Sequence, residues 1–116
     1  MAVRHLEVEV RATQGGAVLD LRGEINGFGQ EALDAAYAEA EARNPEAIIL
    51  NFEAVDYINS TGIALIVGLL ARARAEKRRL VAYGLSDHYV EIFNITRLSD
   101  FVNVFPDEES ALSGAA

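Results

Sequence analysis

Cysteine is missing from this chain of 116 residues. Its absence excludes disulfide staples, thiolate catalysis and cysteine-ligated zinc or iron–sulfur clusters, and it is compatible with a reducing cytoplasm. Histidine is scarce: His5 precedes the first expected strand and His88 opens a short helix. Neither has a second histidine at a metal-ligand spacing, so both read as surface or packing residues. Positive charge is in deficit, with ten Lys and Arg against eighteen Asp and Glu and a net charge of -8. A phosphate backbone would repel such a chain on average, which disfavours nucleic-acid binding. Long hydrophobic runs are also lacking. The longest uncharged stretch, Tyr57 to Ala71, is too short to span a bilayer and contains Asn, Ser, Thr and Gly. The start, Met1-Ala-Val-Arg-His-Leu-Glu, has no apolar export core. The expectation is a cytoplasmic protein with no membrane insertion and no nucleic acid.

Nucleotide signatures are absent as well. There is no Gly-x-x-x-x-Gly-Lys-Ser/Thr loop and no Gly-x-Gly-x-x-Gly. Gly27-Phe-Gly29 precedes a helix but lacks a third glycine, and loop flexibility accounts for it. Glu53 and Asp56 follow the central strand, where a phospho-accepting aspartate could sit. Such a site needs an acidic pair at the end of the first strand to hold magnesium. The first two strands end in Arg11-Ala12-Thr13 and Arg22-Gly23-Glu24, so that reading fails.

What is present is the pattern of one α/β domain spanning residues 1–116. Leu6 to Arg11 alternates apolar and charged residues, Gln14-Gly15-Gly16 signals a turn, and Ala17 to Arg22 alternates again. The two segments are expected to pair as a hairpin. Gly23 to Gly27 reads as a break. Gln30 to Arg43 is an alanine-rich helix with Leu33, Ala36, Tyr37 and Ala40 at helical spacing, stopped by Asn44-Pro45. Ala47 to Phe52 is a continuous apolar run, as in a strand covered on both faces. A connection, Glu53 to Asn59, leads to a helix from Thr61 to about Glu76, capped by Asn59 or Ser60. Leu80 to Tyr83 and Val102 to Phe105 read as strands, and Asp87 to Asn94 as a short helix. A last helix starts at Pro106-Asp107-Glu108-Glu109 and frays from Ser113. The order β-β-α-β-α-β-α-β-α implies a mixed sheet whose later strands are parallel.

Two charged clusters have structural readings. Asp107-Glu108-Glu109 complements the start of a helix dipole. Arg72, Arg74, Lys77, Arg78 and Arg79 are half of the ten basic residues and complement a helix end.

The candidate site is Val55-Asp-Tyr-Ile-Asn-Ser-Thr-Gly-Ile-Ala-Leu-Ile. A helix start presents unpaired N–H groups and partial positive charge, so a phosphate on Ser60 is tolerated there. Gly62 costs helix propensity, about 1 kcal/mol against alanine, which points to close approach by another backbone. The helix after Ser60 is apolar on nearly every side: Ile63, Ala64, Leu65, Ile66, Val67, Leu69, Leu70. One face can cover a sheet; the other requires a partner.

These residues, in this order, resemble the STAS superfamily and within it the small anti-sigma factor antagonists. Gly23-Glu24-Ile25-Asn26 is similar to the family's Gly-Glu-Leu/Ile-Asp at the end of an early strand. Asn59-Ser60-Thr61-Gly62-Ile63 is similar to its Asp-Ser-Ser/Thr-Gly-Leu/Ile at a helix start. Val90-Glu-Ile-Phe-Asn-Ile-Thr-Arg-Leu resembles its Phe-x-x-x-Gly-Leu region, with Asn94 or its neighbours in place of the usual glycine. Asn26 and Asn59 stand where the family has aspartate, keeping size and an acceptor oxygen but losing charge.

The resemblance implies a STAS-like domain with a mixed sheet and four helices packed largely on one side. It implies a switch that catalyses nothing and needs no cofactor or metal. Its partner is an anti-sigma factor that is also a GHKL-type serine kinase, with a serine phosphatase as a second partner, and the chain itself is a monomer or weak homodimer. Ser60 becomes the phosphorylated residue, with Asn26, Asn59, Thr61 and Gly62 around it. Glu24, Asn26, Phe28, Ile58, Ile63, Leu65 and Ile66 become the partner-binding residues. The alternative is a STAS scaffold that is not phosphorylated, or a subunit associated with a lipid or anion transporter.

Overall fold

The computed structural model describes residues 4–115. Met1–Val3, part of the start read above as lacking an export core, and Ala116 lie outside these residues. The elements are β1 (Glu7–Thr13), β2 (Gly16–Ile25), α1 (Gln30–Glu41), β3 (Ala47–Ile58), α2 (Ser60–Ala75), β4 (Arg79–Tyr83), α3 (Asp87–Ile95), β5 (Asn103–Phe105) and α4 (Glu108–Ala115). Short 3-10 turns span Gly27–Gly29 and Leu98–Asp100.

Five strands form one sheet in the order β1-β2-β3-β4-β5. β1 and β2 are the expected antiparallel hairpin, and the remaining pairs are parallel. Side chains alternate across the strands, so each buried strand feeds two cores. One face carries Leu19, Leu21, Ile48, Leu50, Phe52 and Leu80, covered by α1, α2 and α3 through residues such as Tyr37, Ile66, Leu69 and Phe93. Phe52 and Phe93 meet edge to face with centroids 6.1 Å apart. The opposite face carries Val18, Ile49, Val81 and Tyr83 beneath Ala111 and Leu112 of α4. Three helices on one face and a single short one on the other explain why Ala47–Leu50 is apolar without alternation: both sides are covered.

α4 is also held by polar contacts. Arg11 on β1 pairs with Asp20 on β2, with a nitrogen-to-oxygen distance of 3.0 Å, and with Glu108. Asn51 donates to Asp20 at 2.8 Å, and the Tyr83 hydroxyl donates to Glu108 at 2.7 Å. Asp107 accepts from the Ser110 N–H at 2.9 Å and so caps the helix. The helix runs to Ala115 where fraying was expected from Ser113.

Two strands are longer than the sequence suggested. β2 continues through Gly23 to Ile25, and β3 continues through the expected connection to Ile58. Both carry register shifts, between Asp20 and Arg22 and between Gly23 and Glu24, so neither keeps a simple alternation. β4 pairs with β3 only from Ala47 to Asn51. Beyond that point β3 has β2 as its one neighbouring strand among the described residues, and its side chains there become largely exposed.

Candidate functional site

The long strands bring the end of β2 beside the start of α2. Ile25 is in register with Ile58, and the Asn59 N–H donates to the Ile25 carbonyl at 3.2 Å. Asn59, extended at ψ -179°, is the N-cap, and its side-chain oxygen accepts from the Gly62 N–H at 2.8 Å. Ser60 is therefore the first helical residue, one position later than a cap. Asn26 mirrors this at the end of β2: its side chain accepts from the Phe28 N–H at 3.0 Å and starts the Gly27–Gly29 turn. Both asparagines use a side-chain oxygen to close a turn, a task that aspartate performs equally well.

Gly62 is buried because it lies on β2. A Cβ there would sit 2.0 Å from the Ile25 carbonyl oxygen and 3.0 Å from Ile58 Cγ2. Close backbone approach is thus the reason for this glycine, as the sequence suggested. Gly27 and Thr61 also meet: a Cβ on Gly27 would lie 3.2 Å from the Thr61 methyl.

Ser60 and Thr61 are exposed, and the first turn of α2 contains no acidic residue. The N–H groups of that turn cannot all be paired within the helix and carry the positive end of its dipole. Nearby Asp56 is neutralised by Arg4 at 2.9 Å. Phe28, on the neighbouring turn, is 90% exposed. Glu24 is half-buried and in register with the exposed Tyr57.

The other expected partner residues divide. Ile63 and Leu65 are partly buried and pack against the main core. Ile58 and Ile66 are 5% and 1% exposed. Their side chains anchor β3 and α2 to the core and offer a partner no area, a correction that follows from helical phase: Ile66 shares a face with Gly62, Leu69, Leu70 and Ala73. The opposite face carries Ala64, Val67, Gly68 and Ala71, all exposed, with Val67 at 43%. Val67 was named from the sequence only as one of the helix's apolar residues and Gly68 not at all, although the 3.6-residue period puts them outward once Ile66 is inward.

The basic end of α2 is mostly engaged within the chain. Arg72 lies 4.4 Å from the centre of the Tyr37 ring and pairs with Glu41 at 3.2 Å. Arg74 lies 4.9 Å from the centre of Phe101. Arg78 pairs with Glu76 at 3.0 Å and donates to the Pro45 carbonyl at 2.6 Å.

One further contact borders the site. The Tyr89 hydroxyl of α3 accepts from the Ile58 N–H at 2.8 Å and donates to the Ile58 carbonyl at 3.3 Å. Nothing in the sequence pairs residues so far apart; the only signal was that a half-buried tyrosine needs a polar partner.

Among the described residues, no cluster of three His, Asp or Glu side chains could hold a metal, and no helix is long and apolar enough to cross a membrane.

The STAS domain model matches residues 7–111. The chain belongs to the STAS family. This STAS domain is 29% identical over 82 residues to the anti-sigma-B factor antagonist of Listeria monocytogenes serovar 1/2a, covering 71% of the chain and 72% of that protein. It is 27% identical over 100 residues to the anti-sigma-B factor antagonist of Staphylococcus aureus strain NCTC 8325, covering 86% and 93%. Among solved structures, an anti-sigma factor antagonist from Mycobacterium paratuberculosis aligns with a TM-score of 0.81 at 20% identity, covering 95% of this chain and 93% of that one. The Bacillus cell fate determinant SpoIIAA in its phosphorylated form aligns at 0.70 and 23%, covering 96% and 99%. The structural likenesses establish that the mixed sheet with four helices is a STAS fold.

Proposed function

We propose that this STAS domain is an anti-sigma factor antagonist that binds an anti-sigma factor with serine kinase activity and is released by phosphorylation of Ser60. The observation that carries the reading is an exposed serine at the first position of a capped helix, beside an almost fully exposed Phe28 and an apolar outer helix face. Phe28, Ala64 and Val67 supply apolar area whose burial favours association. The names of the relatives support the class of partner.

In the transfer, Ser60 Oγ forms a bond to the γ-phosphorus of ATP as the bond to the ADP oxygen breaks. The hydroxyl proton leaves to a base on the kinase. The helix start accepts the new group through its free N–H donors and dipole. In the complex, the same group places about -1.5 to -2 charge inside an apolar contact. Burying that charge without a counterion is costly, so the complex dissociates.

The test is intact-mass measurement after incubation with the co-purifying kinase and ATP. One phosphate on the wild type and none on Ser60→Ala is the expected result. No adduct, or an adduct that persists in Ser60→Ala, removes the switch. Co-purification with a transporter ATPase in place of a kinase selects the scaffold or transporter-subunit reading.

A further inference from the structure

We propose that Tyr89 is a positioning residue for Ser60: its hydroxyl stands in for a missing strand and holds the end of β3 from which the Ser60 turn hangs. The assignment of a role in phosphoryl transfer rests on the reading of Ser60 given above.

Parallel pairing directs alternate residues toward opposite neighbours. Because Asn59 donates to the Ile25 carbonyl, and Ile25 is in register with Ile58, the N–H and C=O of Ile58 point away from β2. On that side β4 has already ended, its last partner on β3 being Asn51. Among the described residues no strand meets Ile58 there. The residue is buried, so unpaired backbone groups would be costly. Tyr89 satisfies both with one hydroxyl, accepting at 2.8 Å and donating at 3.3 Å.

The surroundings make this contact consequential. A cavity of about 130 Å³ adjoins it, lined in part by Phe52, Val55, Gly84, Ser86 and Tyr89. The end of β3 therefore has space to shift on this side, and Tyr89 spans it. Two residues on, Ser60 opens α2, and Ile58 and Asn59 are the backbone that delivers it from the strand. Tyr89 itself is oriented by its place in the first turn of α3, where its N–H donates to Ser86 Oγ at 3.4 Å, and by the His88 ring at 4.9 Å. α3 is thus tied directly to the backbone that presents Ser60.

The experiment compares wild type, Tyr89→Phe and the control Glu91→Ala, an exposed position on the same helix, by amide hydrogen exchange and by single-site phosphorylation kinetics. Tyr89→Phe keeps the ring and removes both hydrogen bonds. Expected is about tenfold faster exchange at Asn59 and Gly62, with Ile49 and Leu50 in the sheet centre unchanged. Phosphorylation of Ser60 should lose about ten- to a hundredfold in kcat with KM nearly constant, because misplacement acts on the transfer geometry. Glu91→Ala should follow wild type in both. Unchanged exchange at Asn59 and Gly62, or an equal rise throughout the sheet, overturns the proposal. So does an unchanged kcat in a variant whose Asn59 has loosened. If wild-type Ser60 takes no phosphate, the functional reading falls, and exchange alone decides whether Tyr89 positions the turn. Should Tyr89→Phe fail to fold, Tyr89→His, which keeps a ring but ends short of Ile58, is read by the same criteria.

Discussion

Two glycines in α2 should respond to the same substitution in opposite directions. Alanine exceeds glycine in a helix interior by about 1 kcal/mol. At Gly68 nothing lies within 4 Å of the position a Cβ would take, so Gly68→Ala collects that gain undiminished. For a domain of this size, the corresponding rise in Tm is about 4 °C. At Gly62 the new methyl would lie 2.0 Å from the Ile25 oxygen, which is itself bound to the Asn59 N–H at 3.2 Å. Relief requires α2 to lift from β2, which breaks that bond and opens the packing around Ile58 and Ile66. Overpacking of this kind costs roughly 1–3 kcal/mol, and the broken backbone bond adds about 1 kcal/mol. After the propensity gain is subtracted, Gly62→Ala should destabilise by about 2 kcal/mol. Urea unfolding, followed by far-UV circular dichroism and fitted with an unchanged slope, measures both. If Gly62→Ala is as stable as Gly68→Ala, α2 does not rest on the end of β2, and the described geometry of the Ser60 turn is wrong.

Other consequences follow from the same contacts. Asn59→Ala removes the side-chain cap on Gly62 and should cost about 1 kcal/mol, whereas Asn59→Asp keeps the acceptor, adds charge favourable to the helix dipole, and should be at least as stable by urea midpoint. Phe28→Ala should leave the unfolding midpoint within about 0.5 kcal/mol while weakening anti-sigma factor binding by more than about 1 kcal/mol in titration calorimetry. The Glu108 carboxyl is held below its usual range by hydrogen bonds from Arg11 and Tyr83. Burial pushes Asp20 up, but hydrogen bonds from Arg11 and Asn51 bring it below its ordinary value. Folded values below unfolded ones mean stability that is complete above about pH 5 and lost as pH falls through the lowered values. Urea midpoints should therefore fall as the pH drops below about 4, and Arg11→Met should flatten that fall.

Much of the architecture was legible because these elements are strongly patterned, each according to how many of its faces are covered. The hairpin alternates, Ala47–Leu50 is solidly apolar, and α1 repeats Leu33, Ala36, Tyr37 and Ala40 at helical spacing. The extensions of β2 and β3 were not legible. Gly23 reads as a stop, yet here it continues a strand through a register shift, with a φ of +101° that other residues rarely adopt. Glu53 and Asp56 read as loop, because a strand with one neighbour and open faces has no apolar pattern to show. At the site, the local chemistry of Asn59, Ser60 and Gly62 was readable from neighbouring letters. Which side of α2 faces out was not, since an all-round apolar helix has no phase of its own and takes one from the sheet. The bond from Tyr89 to Ile58 joins elements that only the folded topology brings together.

The order of the strands across the sheet is also their order along the chain. Each new strand therefore adds to an edge made by the strand before it, and no strand must wait for a distant segment to arrive. A chain built this way has few long loops to close and folds quickly for a protein with a sheet. During synthesis it can extend its sheet strand by strand as it emerges. The face bearing Val18, Ile49 and Val81 is the exception. It stays wet until α4, which follows all five strands, has emerged and docked, so until then this face is exposed to aggregation.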